Sequence, residues 1–319
     1  MRYYRGRDKR GGNRASTSSG GKNFYCLLVN QASGYEPEMS LRLVQKLERW
    51  LKRSGCDCSV EIAADWDRFE RSLDDAVYKR PSALVVLGGD SSVRLAAERV
   101  SRAKGLLGII PCGKYNSIFA SLYRHSDADK AIDAIRIGCE RQIDCGMANG
   151  QFFVGSLVSG LLPAMIERIG SDRLPRLSMS WSKLAAQAAA DTVKRPTVIK
   201  VDSYTLQAEP TVLNIHLLPQ FLTLPFAPAA VFDDGRMILI YDQEGNREQI
   251  AHYIRDLKKQ RYQYNDGIRM IRGQRININP AQGRKWLIDG QPIQFSGDEL
   301  VIEVLPRALR VICPQPAGE

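Results

Sequence analysis

Between Ala83 and Leu122 the chain twice runs from an apolar, β-branched segment into small residues and then into a helical pattern. The first unit reads ALVVLGGDSSVRLAAERV and the second LLGIIPCGKYNSIFASL. Strand, tight turn, helix is the repeating unit of a parallel sheet, whose neighbouring strands are reached only through a crossover. It is also the unit that turns backbone N–H groups toward a phosphate at the start of a helix. One such turn is equally an ordinary βα connection in which glycine supplies backbone freedom. Two in series put both turns at the carboxyl ends of neighbouring strands, where open α/β sheets bind ligands.

The flanking sequence extends this pattern. FYCLLVN (24–30) and CSVEIA (58–63) read as strands. Helical periodicity runs from about Glu38 to Ser54, with Leu41, Val44, Leu47, Trp50 and Leu51 apolar, and again over Asp67–Lys79 and Asp127–Ile137. Gly55 and Gly138 stand where these helices stop. The alternation βαβαβαβα predicts a parallel sheet covered on both faces. From about Arg141 the apolar runs shorten and alternate: RQIDCGMA, QFFVGSLV, TVIKVDS, TVLNIHLL, RMILIYD, RININ, KWLIDGQPI and LVIEVL. Helical stretches at Leu161–Ile169, Trp181–Thr192 and Glu248–Gln260 interrupt them. This predicts a mostly antiparallel second domain over 140–305, with a nucleotide-type α/β domain over 23–139. The apolar segment Ala308–Pro314 is expected to pack back on the first domain, and a ligand is expected in the cleft between the two.

Residues 1–22 are set apart by composition. They carry +6 of the chain's net +10, are rich in Gly, Ser and Arg, and are expected to be disordered. Such a tail either stays solvated or meets an anionic lipid surface or nucleic acid. The chain has no apolar signal core and no run long enough to span a bilayer, so a cytoplasmic protein is expected, in peripheral contact with the inner membrane face. The seven cysteines are scattered and are expected as free thiols. Cys56-x-Cys58 lacks a second ligand pair, and His125, His216 and His252 have no metal-ligand spacing.

Six short motifs then fall in order. They are Asn30-Gln31-Ala32-Ser33-Gly34, Gly88-Gly89-Asp90-Ser91-Ser92 and Pro111-Cys112-Gly113-Lys114-Tyr115-Asn116-Ser117. There follow Asp144-Cys145-Gly146 with Asn149 and Phe153, then Pro228-Ala229 with Asp233-Asp234-Gly235, and last Asp289-Gly290-Gln291. Together, over roughly 24–314, they resemble the diacylglycerol kinase catalytic family, in particular the soluble bacterial lipid kinases, with sphingosine and ceramide kinases more distant. The resemblance implies an NAD kinase/diacylglycerol kinase-like fold: a Rossmann-like, phosphofructokinase-like α/β domain followed by a C-terminal β-sandwich. It implies transfer of the γ-phosphoryl group of ATP, assisted by Mg²⁺, to the hydroxyl of a diacylglycerol-like or other long-chain lipid. By position it assigns nucleotide binding to Asn30, Gly88, Gly89, Asp90, Ser91, Ser92, Gly113, Lys114 and Asn116. It assigns a structural Mg²⁺ to Asp234 with the carbonyls of Val231 and Arg236. A turn opened by Asp is the alternative role of that segment.

The departures from the family pattern lie in its catalytic motifs. Ser91 stands where the family has a glycine, which costs about 1 kcal/mol if the backbone there is left-handed. Arg94 and Leu95 replace N-E, Lys114 replaces Thr, and Ser117 replaces Asp. Lys114 either neutralises a phosphate or blocks its place. Gln291 stands where the bacterial enzymes keep a proton-accepting Glu, and a carboxamide accepts no proton at useful pH. Asp289 and Asp90 are the remaining candidates for the base, Asp90 because the sphingosine kinases are held to use the equivalent residue. Asp289-Gly290 also reads as a hairpin turn. Two functions therefore stand side by side: an active lipid kinase with altered motifs, and a pseudokinase kept as a nucleotide or lipid sensor or as a scaffold. A relative of the NAD kinases, which share G-G-D, is disfavoured by N-x-x-S-G and P-x-G…N. Phe152, Phe153, Leu157, Leu161, Leu162 and Met165 are plausible acceptor-pocket residues and equally good core residues.

Overall fold

The computed structural model describes residues 23–33, 37–125, 127–137, 139–169, 181–222, 224–243, 246–258 and 267–314. The basic tail, Gly34 of the first motif and Gly138 lie outside them. The first half alternates β1 (Phe24–Asn30), α1 (Pro37–Arg53), β2 (Asp57–Ala63), α2 (Trp66–Tyr78), β3 (Ala83–Gly88), α3 (Asp90–Arg102), β4 (Leu106–Pro111), α4 (Ser117–Tyr123) and α5 (Ala128–Ile137). The strands pair in the order β2-β1-β3-β4, all parallel. Every residue of β3 is buried, as a strand covered on both faces requires. The helices start on local signals, as where Asp65 accepts the Arg68 N–H at 2.7 Å to cap α2.

The second half contains β5 (Glu140–Ala148), β6 (Gln151–Phe153), β7 (Ser156–Gly160), α6 (Leu161–Ile169), α7 (Trp181–Asp191), β8 (Thr197–Val201), β9 (Tyr204–Ala208), β10 (Val212–His216), β11 (Met237–Asp242), α8 (Arg247–Lys258), β12 (Ile268–Gly273), β13 (Arg275–Asn279), β14 (Trp286–Ile288), β15 (Gln291–Ile293) and β16 (Leu300–Ile312). One antiparallel sheet runs β12-β11-β10-β7-β14-β15. The other antiparallel strands, β13, β8 and β9 with β5 and β6, join the parallel strands in a single sheet through β16. The far end of β16 pairs parallel with β4 (Arg310 with Leu106) while its body pairs antiparallel with β13 and β5. Its register against β5 shifts between Leu305 and Leu309, around the left-handed Arg307, which lets one strand serve two sheet regions.

Alternation along β10 separates two cores. Leu213 and Ile215 face the first sheet and pack with Ile199, Ile276, Ile302 and Trp286 between the sheets. Val212 faces the other way, under α6, α7 and α8, with Leu161, Met165, Phe226 and Ile254. The parallel half has its own core. The stretch read as one strand, QFFVGSLV, is broken at Val154-Gly155: β6 stays in the first sheet and β7 enters the second. β9 and β12 carry too many exposed polar residues to stand out in the sequence. None of the seven cysteines forms a disulfide.

Candidate active site

The turns after β1, β3 and β4 meet at the carboxyl edge of the parallel strands. Asn30 closes β1, and its Nδ2 donates to Ser92 Oγ at 2.9 Å while its Oδ1 accepts the Ala32 N–H at 3.0 Å. Ser33 Oγ donates to the carbonyls of Asn30 and Cys112, at 2.8 and 3.0 Å. Asn30 and Ser33 thus stitch three strand ends together. The glycines have a geometric reason. A Cβ on Gly88 would stand 2.6 Å from Ser92 Cβ, and one on Gly113 would stand 2.2 Å from Gly89 Cα. The two turns are in backbone contact, which only glycine permits. Ser91 lies in the first turn of α3 and is not among the left-handed residues, so the strain expected of a side chain there is absent. Gly89 caps α3 and, having no side chain, places no acceptor of its own over the first-turn N–H groups.

The second turn is closed by Asn116, whose left-handed backbone (φ 52°) brings its amide onto Gly113: Oδ1 accepts Gly113 N–H at 2.9 Å and Nδ2 donates to its carbonyl at 2.8 Å. The chain then enters α4 under Asp90. Asp90 Oδ2 accepts the Ser117 N–H and Oδ1 the Ile118 N–H, each at 2.9 Å. Burial pushes the Asp90 carboxyl up to about 6, against the pull of those two amides, with the charge of Asp289 adding to the rise. Lys114 holds its ammonium over the Tyr115 ring, 5.2 Å from the centroid.

The far wall is the hairpin of β14 and β15, joined by the left-handed pair Asp289 and Gly290, the signature of a two-residue primed turn. Asp289 is 5% exposed. Its carboxylate accepts three backbone N–H groups, from Val154, Gly155 and Ser156, all at 2.8 Å. That grip bends the chain between β6 and β7. Burial raises the Asp289 carboxyl, while the amides and the Arg94 guanidinium draw it down. A shift of the loop that freed Asp289 as a base would strand three amides. Gln291, two residues on, donates from Nε2 to Ser91 Oγ at 2.6 Å. Ser117 Oγ donates to the Leu222 carbonyl at 3.1 Å, and Ser121 Oγ accepts the Gln220 N–H at 3.0 Å. α4 is thereby tied to the apolar layer of the second sheet, against which Tyr115 packs.

The model of the diacylglycerol kinase catalytic domain family matches residues 25–148. Over that stretch the chain is similar to the diacylglycerol kinase catalytic domain family. A diacylglycerol kinase from Bacillus subtilis (strain 168) is 21% identical over 299 residues, 92% of this chain and 97% of the relative. The crystal structure of a diacylglycerol kinase from Bacillus anthracis str. Sterne is similar at TM-score 0.67 and 16% identity, covering 93% of this chain and 99% of that one. A candidate diacylglycerol kinase from the same strain is similar at TM-score 0.73 and 17% identity, covering 95% and 99%. These structures share the fold: a mixed α/β first sheet followed by an antiparallel second one.

Within this fold, the turn expected to hold Mg²⁺ is built differently from a cation site. Asp234 Oδ2 is ion-paired with the Arg272 guanidinium, and its Oδ1 accepts the Arg236 N–H at 3.0 Å. The turn is also anchored by Asp144, fully buried in β5. Asp144 accepts N–H groups from Gly235 at 2.6 Å and Arg307 at 2.7 Å, and its own N–H donates to the Phe232 carbonyl at 2.6 Å. A guanidinium on the carboxylate and an amide proton from Arg236 are a poor fit to a hard cation, which needs several oxygen donors. Val231 is exposed beside this turn. Among the described residues no group of three His, Cys, Asp or Glu is gathered for a metal.

Asn30, Gly88, Gly89, Asp90, Ser91, Ser92, Gly113, Lys114, Asn116, Asp289 and Gln291 thus belong to three adjoining turns and the hairpin facing them. Asp234, Val231 and Arg236 form a separate turn. Two cations complete the picture, Arg94, read from the sequence only as a lost polar group, and Arg272, which no motif singled out. Arg94 is the cation beside Asp289, and Arg272 holds Asp234. Asp144, named in the fourth motif without a role, is an anchor of the 231–236 turn. The six apolar acceptor candidates are all buried and are divided among three cores: Phe152 in the first, Phe153 and Leu157 between the sheets, and Leu161, Leu162 and Met165 under the helices.

Proposed function

We propose that this protein is an ATP-dependent lipid kinase that phosphorylates the hydroxyl of a diacylglycerol-like or other long-chain lipid, with Asp90 as the proton-accepting group. The observation that carries this reading is Asp90 itself: a carboxylate between two glycine turns, raised to about 6 by burial. A base works best with a pKa near the working pH. Gln291 carries no carboxylate, and Asp289 is committed to three backbone amides at the β6–β7 bend, one more than Asp90 holds.

Bound ATP would supply the transferable phosphoryl group and its leaving ADP. The chain's own contribution is positioning and electrostatics. The uncapped first turn of α3 presents N–H groups to phosphate oxygens. The region 23–139 with the end of β16 would bind nucleotide, and 140–305 would meet the lipid. The acceptor hydroxyl would give its proton to Asp90 as its oxygen bonds to phosphorus. Similarity to the diacylglycerol kinase catalytic domain family supports both ATP and a lipid partner. Among the described residues no helix is long and apolar enough to cross a membrane, so the lipid would be met at a membrane surface. No step is assigned to Mg²⁺.

The Gln291 contact with Ser91 favours a second reading, a pseudokinase that binds nucleotide or lipid without transfer. The test is transfer of label from γ-labelled ATP to mixed micelles of lipid alcohols, paired with calorimetry of ATP binding. Lipid-dependent product supports the kinase. Binding without product supports the pseudokinase and removes the kinase.

A further inference from the structure

Ser91 and Gln291, two positions at which this chain departs from its family's motifs, touch each other. They stand 200 residues apart in the chain, one in helix α3 and the other in strand β15, yet Gln291 Nε2 donates to Ser91 Oγ at 2.6 Å. Each is anchored from behind. The start of α3 is fixed by the Asn30–Ser92 bond and by the Gly89–Gly113 contact. The hairpin is fixed by Asp289 on the three N–H groups of 154–156. Arg94 stands one turn beyond Ser91 on the same face of α3 and acts electrostatically on Asp289, a second link between the same two elements. The family's glycine and glutamate could not form this amide-to-hydroxyl bond, since glycine has no hydroxyl and an ionised carboxylate has no proton to donate. The amide of Gln291 is therefore seated on a side chain of the first turn of α3, the turn that the kinase reading gives to phosphate.

We propose that Ser91 and Gln291 form a latch between α3 and β15, closed at the start of α3 in the free protein, and that nucleotide must part it to bind. The inference rests on the kinase reading for the nucleotide's place. It makes Ser91 and Gln291 positioning residues that set nucleotide affinity, apart from any role in proton transfer.

The experiment is a double-mutant cycle on the full chain, with Ser91→Ala, Gln291→Ala and the double variant. Thermal unfolding is measured without nucleotide, and ATP binding is measured by calorimetry without lipid. A latch predicts that each single substitution lowers the melting temperature and that the double variant falls no further, because one bond is lost in all three. It also predicts ATP binding tighter by about three- to tenfold in all three variants, the fold-change for one net hydrogen bond. Gln291→Met keeps the side chain's bulk and replaces the alanine variant if the hairpin loosens. Additive losses in stability overturn the latch, as does unchanged or weakened ATP binding. If none of the proteins binds ATP, the kinase reading falls and the gating role falls with it. If they bind ATP and the coupling is missing, only the latch falls.

Discussion

At the scale of single residues, burial decides what each ionisable group can do. Asp90 is raised to about 6, so it is a competent base above that pH and a protonated spectator below it. The rate with saturating nucleotide and lipid should therefore fall on the acid side with a midpoint near pH 6. A midpoint near 4, the range of an ordinary carboxylate, would remove Asp90 from the role. His216 makes the opposite case. It is fully buried in β10, stacked against Phe226, and burial lowers it to about 3. Both ring nitrogens lack a partner among the described residues. The folded state keeps His216 neutral while the unfolded chain takes up a proton below about pH 6.5. Its contribution to stability is present above that pH and is lost as pH falls toward 3, at roughly 1.4 kcal/mol per unit. His216→Phe, with an apolar ring beside Phe221 and Phe226, should unfold at a higher urea concentration than wild type at pH 5 and should narrow that gap at pH 7.5. An equal gap at both pH values would mean that His216 does not titrate on unfolding.

At the scale of elements, two acidic residues read from motifs turn out to be joints. Asp289 is the acceptor for three amides that turn β6 into β7. Asp289→Asn keeps the left-handed turn but replaces one acceptor oxygen with a donor, and should cost about 1–3 kcal/mol in denaturant unfolding for the stranded amide. A loss under about 0.5 kcal/mol, the scale of an ordinary surface change, would mean that the joint is made elsewhere. The turn at 231–236 is held by Arg272 and Asp144, so chelator and added Mg²⁺ should leave the wild-type melting temperature unchanged. Only Arg272→Ala, which frees Asp234, should gain stability from Mg²⁺. A melting temperature lowered by chelator in the wild type would put a cation at that turn. These joints explain what could be read from the sequence. The parallel strands, the glycine turns and the Asp289-Gly290 hairpin announce themselves through apolar runs and turn residues, which act locally. The break in QFFVGSLV was hidden because Asp289, distant in sequence, makes it. The Arg272–Asp234 pair was hidden for the same reason, since no local pattern records which strands become neighbours.

At the scale of the molecule, β16 makes one sheet of the parallel and antiparallel halves. The candidate site lies where α3 and α4 of the first half meet the β14–β15 hairpin of the second. The motifs named the residues on both walls, and the fold places them face to face. What the motifs could not give is the consequence of their departures: Ser91 is unstrained in its helix, Gln291 bonds to it, and Asp90, which holds two backbone amides against the three on Asp289, is the carboxylate that the kinase reading uses as base. The most direct test of that consequence is lipid-dependent ATP turnover by the full chain in mixed micelles, compared with Asp90→Asn and Gln291→Glu. The account predicts that Asp90→Asn lowers turnover by about 10²–10⁴-fold, the range for loss of a general base, while Gln291→Glu changes it by less than about tenfold. Turnover that survives Asp90→Asn, or that is absent in the wild type and created by Gln291→Glu, would contradict it.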